Sequence, residues 1–180
     1  MKKRLFYAFI FLSCIAVITF TPSCAQKLDV KGMLSYQSAP KHEISLVLGE
    51  HSYPISLTLS DTSQDNVRDG IALITGGELK DIKFEMSQSA LKMNVHETEY
   101  MLSRGDCLSV YMLFSAFAID EDDFIGVTRE NGSNEMKARF KNNEEYILTL
   151  DAESLEIKRI DANCKDIPFT INFLTEIKEN

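Results

Sequence analysis

MKARFKNNEEYILTLDAESLEIKRI, residues 136–160, is the stretch from which the fold of this chain can be read. Met136, Ala138 and Phe140 alternate with Lys137, Arg139 and Lys141. That is the period-2 pattern of a half-buried strand with one dry and one cationic face. Asn142-Asn143 interrupts it, Glu145–Leu150 resumes an apolar run, Asp151 to Ser154 interrupts again, and Leu155–Ile160 forms the next run. Working outward, Asn131-Gly132 separates Phe124–Glu130 from Glu135–Lys141, and both residues tolerate the positive φ of a tight hairpin turn. The spacing predicts a four-stranded meander from about Phe124 to Asp161. A fifth strand follows Pro168, where Phe169, Ile171, Phe173 and Ile177 share one face. Upstream, Tyr53, Ile55, Leu57 and Leu59 alternate with polar residues, as do Ile82, Phe84 and Met86, then Leu91, Met93 and Val95. Leu28 to Leu59 reads as strands, and Asp61 to Asp69 and Gly76-Gly77 read as loops.

One segment breaks the alternation. Cys107 to Ile119 is apolar except for two serines and rich in Leu, Met and Ala, so it is read as a helix with Asp106 as N-cap. It is too short to span a bilayer, and a helix apolar on nearly every side must be buried on nearly every side. The expected fold is therefore mainly β (α+β): a strongly bent antiparallel sheet, or unclosed β-barrel, with one buried apolar helix. Helical spacing offers two stripes, Leu108, Met112 and Ser115, or Val110, Leu113, Phe114 and Phe117. Leu108, Met112, Leu113, Phe114 and Phe117, with Met86 and Met93 from the strands, are the candidate ligand-binding residues, because flexible thioethers adapt to a mobile apolar ligand. Ordinary core packing is the competing reading of the same residues.

Residues 1–25 read as an export signal: Lys2, Lys3 and Arg4, an uncharged run from Leu5 to Phe20, then Thr21-Pro22-Ser23-Cys24-Ala25. Ser23 and Ala25 suit cleavage before Gln26, Cys24 is a candidate for lipidation although Thr21 and Pro22 depart from the residues that usually precede a lipidated cysteine, and an uncleaved anchor is the third reading. The expected organisation is a signal peptide over 1–25 and one β-rich half-barrel domain over 26–180. The expected location is extracytoplasmic, in a bacterial cell envelope: membrane-anchored if Cys24 is lipidated or the segment is retained, otherwise periplasmic or secreted. Loss of Lys2, Lys3 and Arg4, with no acidic residue among the first 25, takes the formal net charge from −8 to −11. Such a surface repels nucleic acid. Cys107 and Cys164 remain as an even pair, a candidate disulfide that chain entropy values at about 4 kcal/mol.

Motifs for catalysis are not found. Gly-x-Ser-x-Gly, His-Glu-x-x-His, Cys-x-x-Cys and a phosphate-cradling glycine loop are all missing from the sequence. His42, His51 and His96 are too scattered to suggest zinc, and Asp120 to Asp123 lacks the ligand spacing of a calcium loop. The reading is a non-enzymatic, monomeric protein without metal or cofactor.

Leu-Thr-Leu-Asp-Ala-Glu-Ser-Leu-Glu-Ile-Lys-Arg-Ile, Leu148 to Ile160, within the meander and helix of residues 80–177, resembles the bacterial lipoprotein-carrier superfamily of the LolA/LolB type and related lipid-binding lipoproteins. The resemblance implies an unclosed half-barrel around helices and a cavity that holds a lipid or lipoprotein acyl chain. It also implies an N-terminal helix and a cavity-closing arginine, neither of which is matched in this sequence. The alternative function is a surface interaction or structural module with a filled core.

Overall fold

The computed structural model describes residues 28–174 apart from 89, 130 and 131. The segment read as an export signal, Cys24, Asn131 and Ile177 lie outside the described residues. Eleven strands form one antiparallel sheet: β1 Lys41–Leu48, β2 His51–Gln64, β3 Val67–Ile74, β4 Lys83–Ser87, β5 Ala90–Val95, β6 Thr98–Leu102, β7 Phe124–Arg129, β8 Glu135–Lys141, β9 Glu145–Asp151, β10 Ile157–Cys164 and β11 Ile167–Phe173. Their spatial order is β6-β5-β4-β3-β2-β1-β11-β10-β9-β8-β7. Both halves are meanders of hairpins, joined where β1 pairs with β11. The sheet does not close, since β6 and β7 are its two edges. The chain passes from one edge to the other through the helix α2, Leu108–Ser115.

Alternation in sequence becomes a two-faced sheet. In β8 the buried residues Met136, Ala138 and Phe140 alternate strictly with exposed neighbours, as the cationic pattern predicts. Register then lines up apolar rows across strands. One runs Ala138–Leu148–Ile160–Ile171–Leu46–Tyr53 through five of the pairings. Another runs Leu57–Ala72–Phe84–Met93–Tyr100. Leu57 and Ala72 are fully buried, whereas Tyr100, on the edge strand, is 48% exposed. The inner face is thus covered at its centre and open toward β6.

Two expectations are corrected here. Leu28 to Leu59 is not strand throughout: Val30–Met33 forms a one-turn helix, α1, and Ser35–Ser38 a 3-10 turn before β1 begins. The Asp29 carboxylate accepts the Gly32 N–H at 2.8 Å, and Met33 and Tyr36 are the buried anchors of this segment. Those anchors are three apart, which suits a helical turn rather than a strand. Asp61 to Asp69 is likewise not a long loop. Strands β2 and β3 extend into it and leave a two-residue turn, Asp65-Asn66, with φ of 52° and 59°. Positive φ at both central residues is the requirement of a type I′ hairpin, which Asp and Asn tolerate. Register shifts between Leu59 and Ser63, and beside it Gly70 is obligatory in size: a Cβ there would lie 2.5 Å from the Thr58 carbonyl oxygen.

Candidate functional site

The site is built on α2. The helix is shorter than the apolar run predicts, ending at Ser115, and tightens into turns that place Ala116 and Phe117 in the core. Its N-cap is Cys107, without a side-chain capping bond, in place of the expected Asp106. The Asp106 carboxylate instead accepts from the Ser103 N–H and hydroxyl at 3.1 and 2.6 Å, which holds its pKa below the ordinary value. A serine three residues upstream competes successfully for the carboxylate that the helix would have used.

The C-terminal half of the helix is held from three directions. Tyr146 donates its hydroxyl to the Met112 carbonyl at 3.3 Å, Ser115 donates to the Asn66 carbonyl at 2.9 Å, and Tyr36 donates to the Ala116 carbonyl at 2.6 Å. Burial pushes the Tyr146 phenol up to about 12 and raises that of Tyr36 further, so both remain neutral donors at any physiological pH. Replacing Tyr36 by Phe leaves the Ala116 carbonyl without this donor. The expected cost is about 1–3 kcal/mol, read from urea unfolding midpoints, and an unchanged midpoint refutes the role.

The N-terminal half borders empty space. Between Cys107, Ser109, Val110 and Leu113 of the helix segment and the inner face of β1 to β4 lies an apolar pocket of about 170 Å³. Leu46, Leu48, Tyr53, Ile55, Ala72, Ile74 and Phe84 form its strand wall, with Leu79 from the β3–β4 connection. The polar atoms at its surface are few, so its chemistry is that of an apolar solvent: it can hold a hydrocarbon and cannot orient a charged group. Larger hollows of about 460 and 670 Å³ are lined by Glu144, Glu145 and Asp161, and by Asp29, Lys31, Asp120 and Glu121, and do not suit an apolar ligand.

Of the residues predicted to bind ligand, Leu113 lines the pocket. Met112, Phe114, Phe117 and Met86 are at most 1% exposed and belong to the packed core, while Leu108 is half-buried against it. Met93 is half-buried on the inner face, in register with the pocket residue Phe84. Cys107 lines the pocket, and both it and Cys164 are free thiols here. Ser109 and the strand-wall residues of the pocket are not marked by the sequence. Alternation marks a dry face, but which part of it a helix leaves uncovered depends on tertiary placement.

Beyond the pocket, Tyr36, His42, Phe117 and Phe173 form an aromatic cluster, with the His42 ring 4.9 Å from Phe117 and 5.7 Å from Phe173 between centroids. Burial lowers the His42 pKa, its contact with the Ala39 carbonyl opposes this, and the Arg68 charge adds to the lowering. Arg68 is itself tied to the carbonyls of Gln37 and Ser60. Below the ordinary histidine value of about 6.5 the unfolded chain binds a proton that the folded chain resists, so the stabilisation is full above that pH and lost as pH falls through the window beneath it. Unfolding midpoints measured from pH 7.5 down to pH 5 are expected to fall more steeply for the parent than for His42→Phe. Parallel profiles refute the assignment.

The acidic run Asp120 to Asp123 caps itself. Asp120 N–H donates to Asp123 at 2.8 Å, and the Asp120 carboxylate accepts from Glu121 N–H at 2.7 Å, enclosing the 3-10 turn Glu121–Asp123. Among the described residues no helix is long and apolar enough to cross a membrane.

The site is thus an apolar pocket between the inner face of an open antiparallel sheet and the helix that lies over it. No protein-family model and no curated protein matches the chain. Among solved structures, it is similar to a domain described as an outer membrane lipoprotein-sorting protein from Vibrio parahaemolyticus, at 7% identity and TM-score 0.48, over 84% of this chain and 94% of that one. It is also similar to a LolA superfamily protein from Nitrosomonas europaea, at 10% identity and TM-score 0.46, over 82% and 92% of the two chains. The Mycobacterium tuberculosis lipoprotein LppX gives 7% identity and TM-score 0.39, over 82% and 95%. These likenesses concern the fold.

Proposed function

We propose that the protein is an exported, non-enzymatic carrier of the cell envelope, directed there by residues 1–25, that shelters an acyl chain between α2 and the inner face of β1 to β4. The observation that carries this reading is the apolar pocket beside Val110 and Leu113, left open within a core that is otherwise closely packed. Its volume of about 170 Å³ is near that of an engineered cavity able to take benzene and below the range for drug-sized ligands, so it accepts the end of a chain. The remainder of the chain lies along Phe84, Met93 and Tyr100 toward the open edge at β6, where the inner face is progressively exposed.

A second reading, an interaction or structural module with a filled core, draws on the close packing of Met112, Phe114 and Phe117. The test is mass spectrometry of the organic extract of the protein purified from an exporting host, together with titration by a fluorescent fatty acid. Lipid in the extract and saturable binding support the carrier. A lipid-free extract with no saturable binding leaves the filled-core module.

A further inference from the structure

Cys107 and Cys164 stand at the start of α2 and the end of β10, two elements that pack against each other. Cys107 ends the loop before α2, is half-buried and lines the pocket. Cys164 is the last residue of β10 and is buried. In β10, Ile160 is fully buried, and strand periodicity puts Ala162 and Cys164 on the same inner face, toward the helix. A side chain links the segments around the two residues: Lys165, next to Cys164, donates its Nζ to the carbonyl of Gly105, two residues before Cys107, at 3.5 Å. The Cys164 charge is also among the influences that raise the Cys107 pKa, after burial, so the sulfurs share one electrostatic neighbourhood.

We propose that Cys107 and Cys164 join as a disulfide that pins the first turn of α2 to the end of β10 and sets the shape of the pocket mouth. The hydrogen bonds described above seat the C-terminal half of the helix, and this link adds a covalent restraint at its start. The reaction is thiol–disulfide exchange with a disulfide oxidant. The Cys107 or Cys164 thiolate attacks the oxidant's sulfur, one oxidant thiolate leaves, and the second cysteine then displaces the other. The two protein thiols lose two protons and two electrons, and the oxidant disulfide is reduced to two thiols. Burial keeps both thiols protonated at neutral pH, so closure within the folded protein is slow and accelerates as pH rises.

The test treats the purified protein with oxidised glutathione at pH 8, then digests it without reductant after alkylation of any remaining thiols. A joined Cys107–Cys164 peptide is expected, and reduction is expected to lower the thermal midpoint by about 5–15 °C, as for a link that closes a long loop in a domain of this size. Cys164→Ser is expected to show the lower midpoint under both conditions, with Cys107 carrying glutathione. Separate glutathione on each cysteine, or two alkylated thiols, means that the sulfurs do not meet and overturns the bridge. A bridge that forms while fluorescent fatty acid binds equally with and without reductant overturns the role at the mouth. If no fatty acid binds in either state but the midpoint shift is present, the carrier reading fails and the staple between α2 and β10 stands.

Discussion

Phe114→Ala is expected to lower the unfolding free energy by about 3–5 kcal/mol, enough to remove much of the stability of a domain of this size. The Phe114 side chain, in the last turn of α2, is 0% exposed, and its loss opens a void that the surrounding sheet cannot fill by collapse. Leu113→Ala, one residue away, is the informative partner. Leu113 is equally buried yet borders the existing pocket, so its truncation enlarges a space that is already there. Its cost is expected near the lower end of the range for a buried leucine, about 2–3 kcal/mol. Urea denaturation of both variants separates the two environments. Equal losses would mean that the pocket is closed in solution and that α2 is a plain core helix.

Ser109→Phe is expected to weaken fluorescent fatty acid binding at least tenfold, about 1.4 kcal/mol, by filling the pocket with a phenyl ring. Ser109 lines the cavity, is half-buried and contributes little packing, so the unfolding midpoint should move by about 1 kcal/mol or less. Ser109→Ala serves as the comparison and is expected to bind as the parent does. Retention of full affinity by Ser109→Phe, with stability unchanged, would place any fatty-acid site elsewhere, and a further hollow of about 610 Å³, lined by Tyr36, His42, Ile157, Phe173 and Leu174, would be the next to block.

The strand pattern was legible because alternation is a local property. Each of Met136, Ala138 and Phe140 is buried for the same reason, that its Cβ points to one side of a pleat. The helix was legible for a similar reason, since an apolar run of Leu, Met and Ala without alternation has no half-exposed strand to join. Where local rules compete, sequence and structure part: Asp106 bonds to Ser103 rather than to the helix, and Asp65-Asn66 makes a turn tighter than the polar stretch around it suggests.

The candidate site was legible only in outline. That α2 would cover an inner sheet face followed from its composition, but the composition is nearly uniform around the helix and therefore contains no instruction about which side meets a void. That choice is made by Tyr36, Ser115 and Tyr146, whose bonds to or from distant parts of the chain seat the C-terminal half and leave Cys107, Ser109 and Val110 beside the gap. The amino-acid order alone thus determines the period of each strand, the hairpins of the second meander and the need to bury the helix, all of which act within a few residues. The pairing of β1 with β11, the open edges at β6 and β7, and the position of the pocket depend on contacts between residues far apart in the chain, where many partners satisfy the same apolar pattern and only simultaneous packing selects among them.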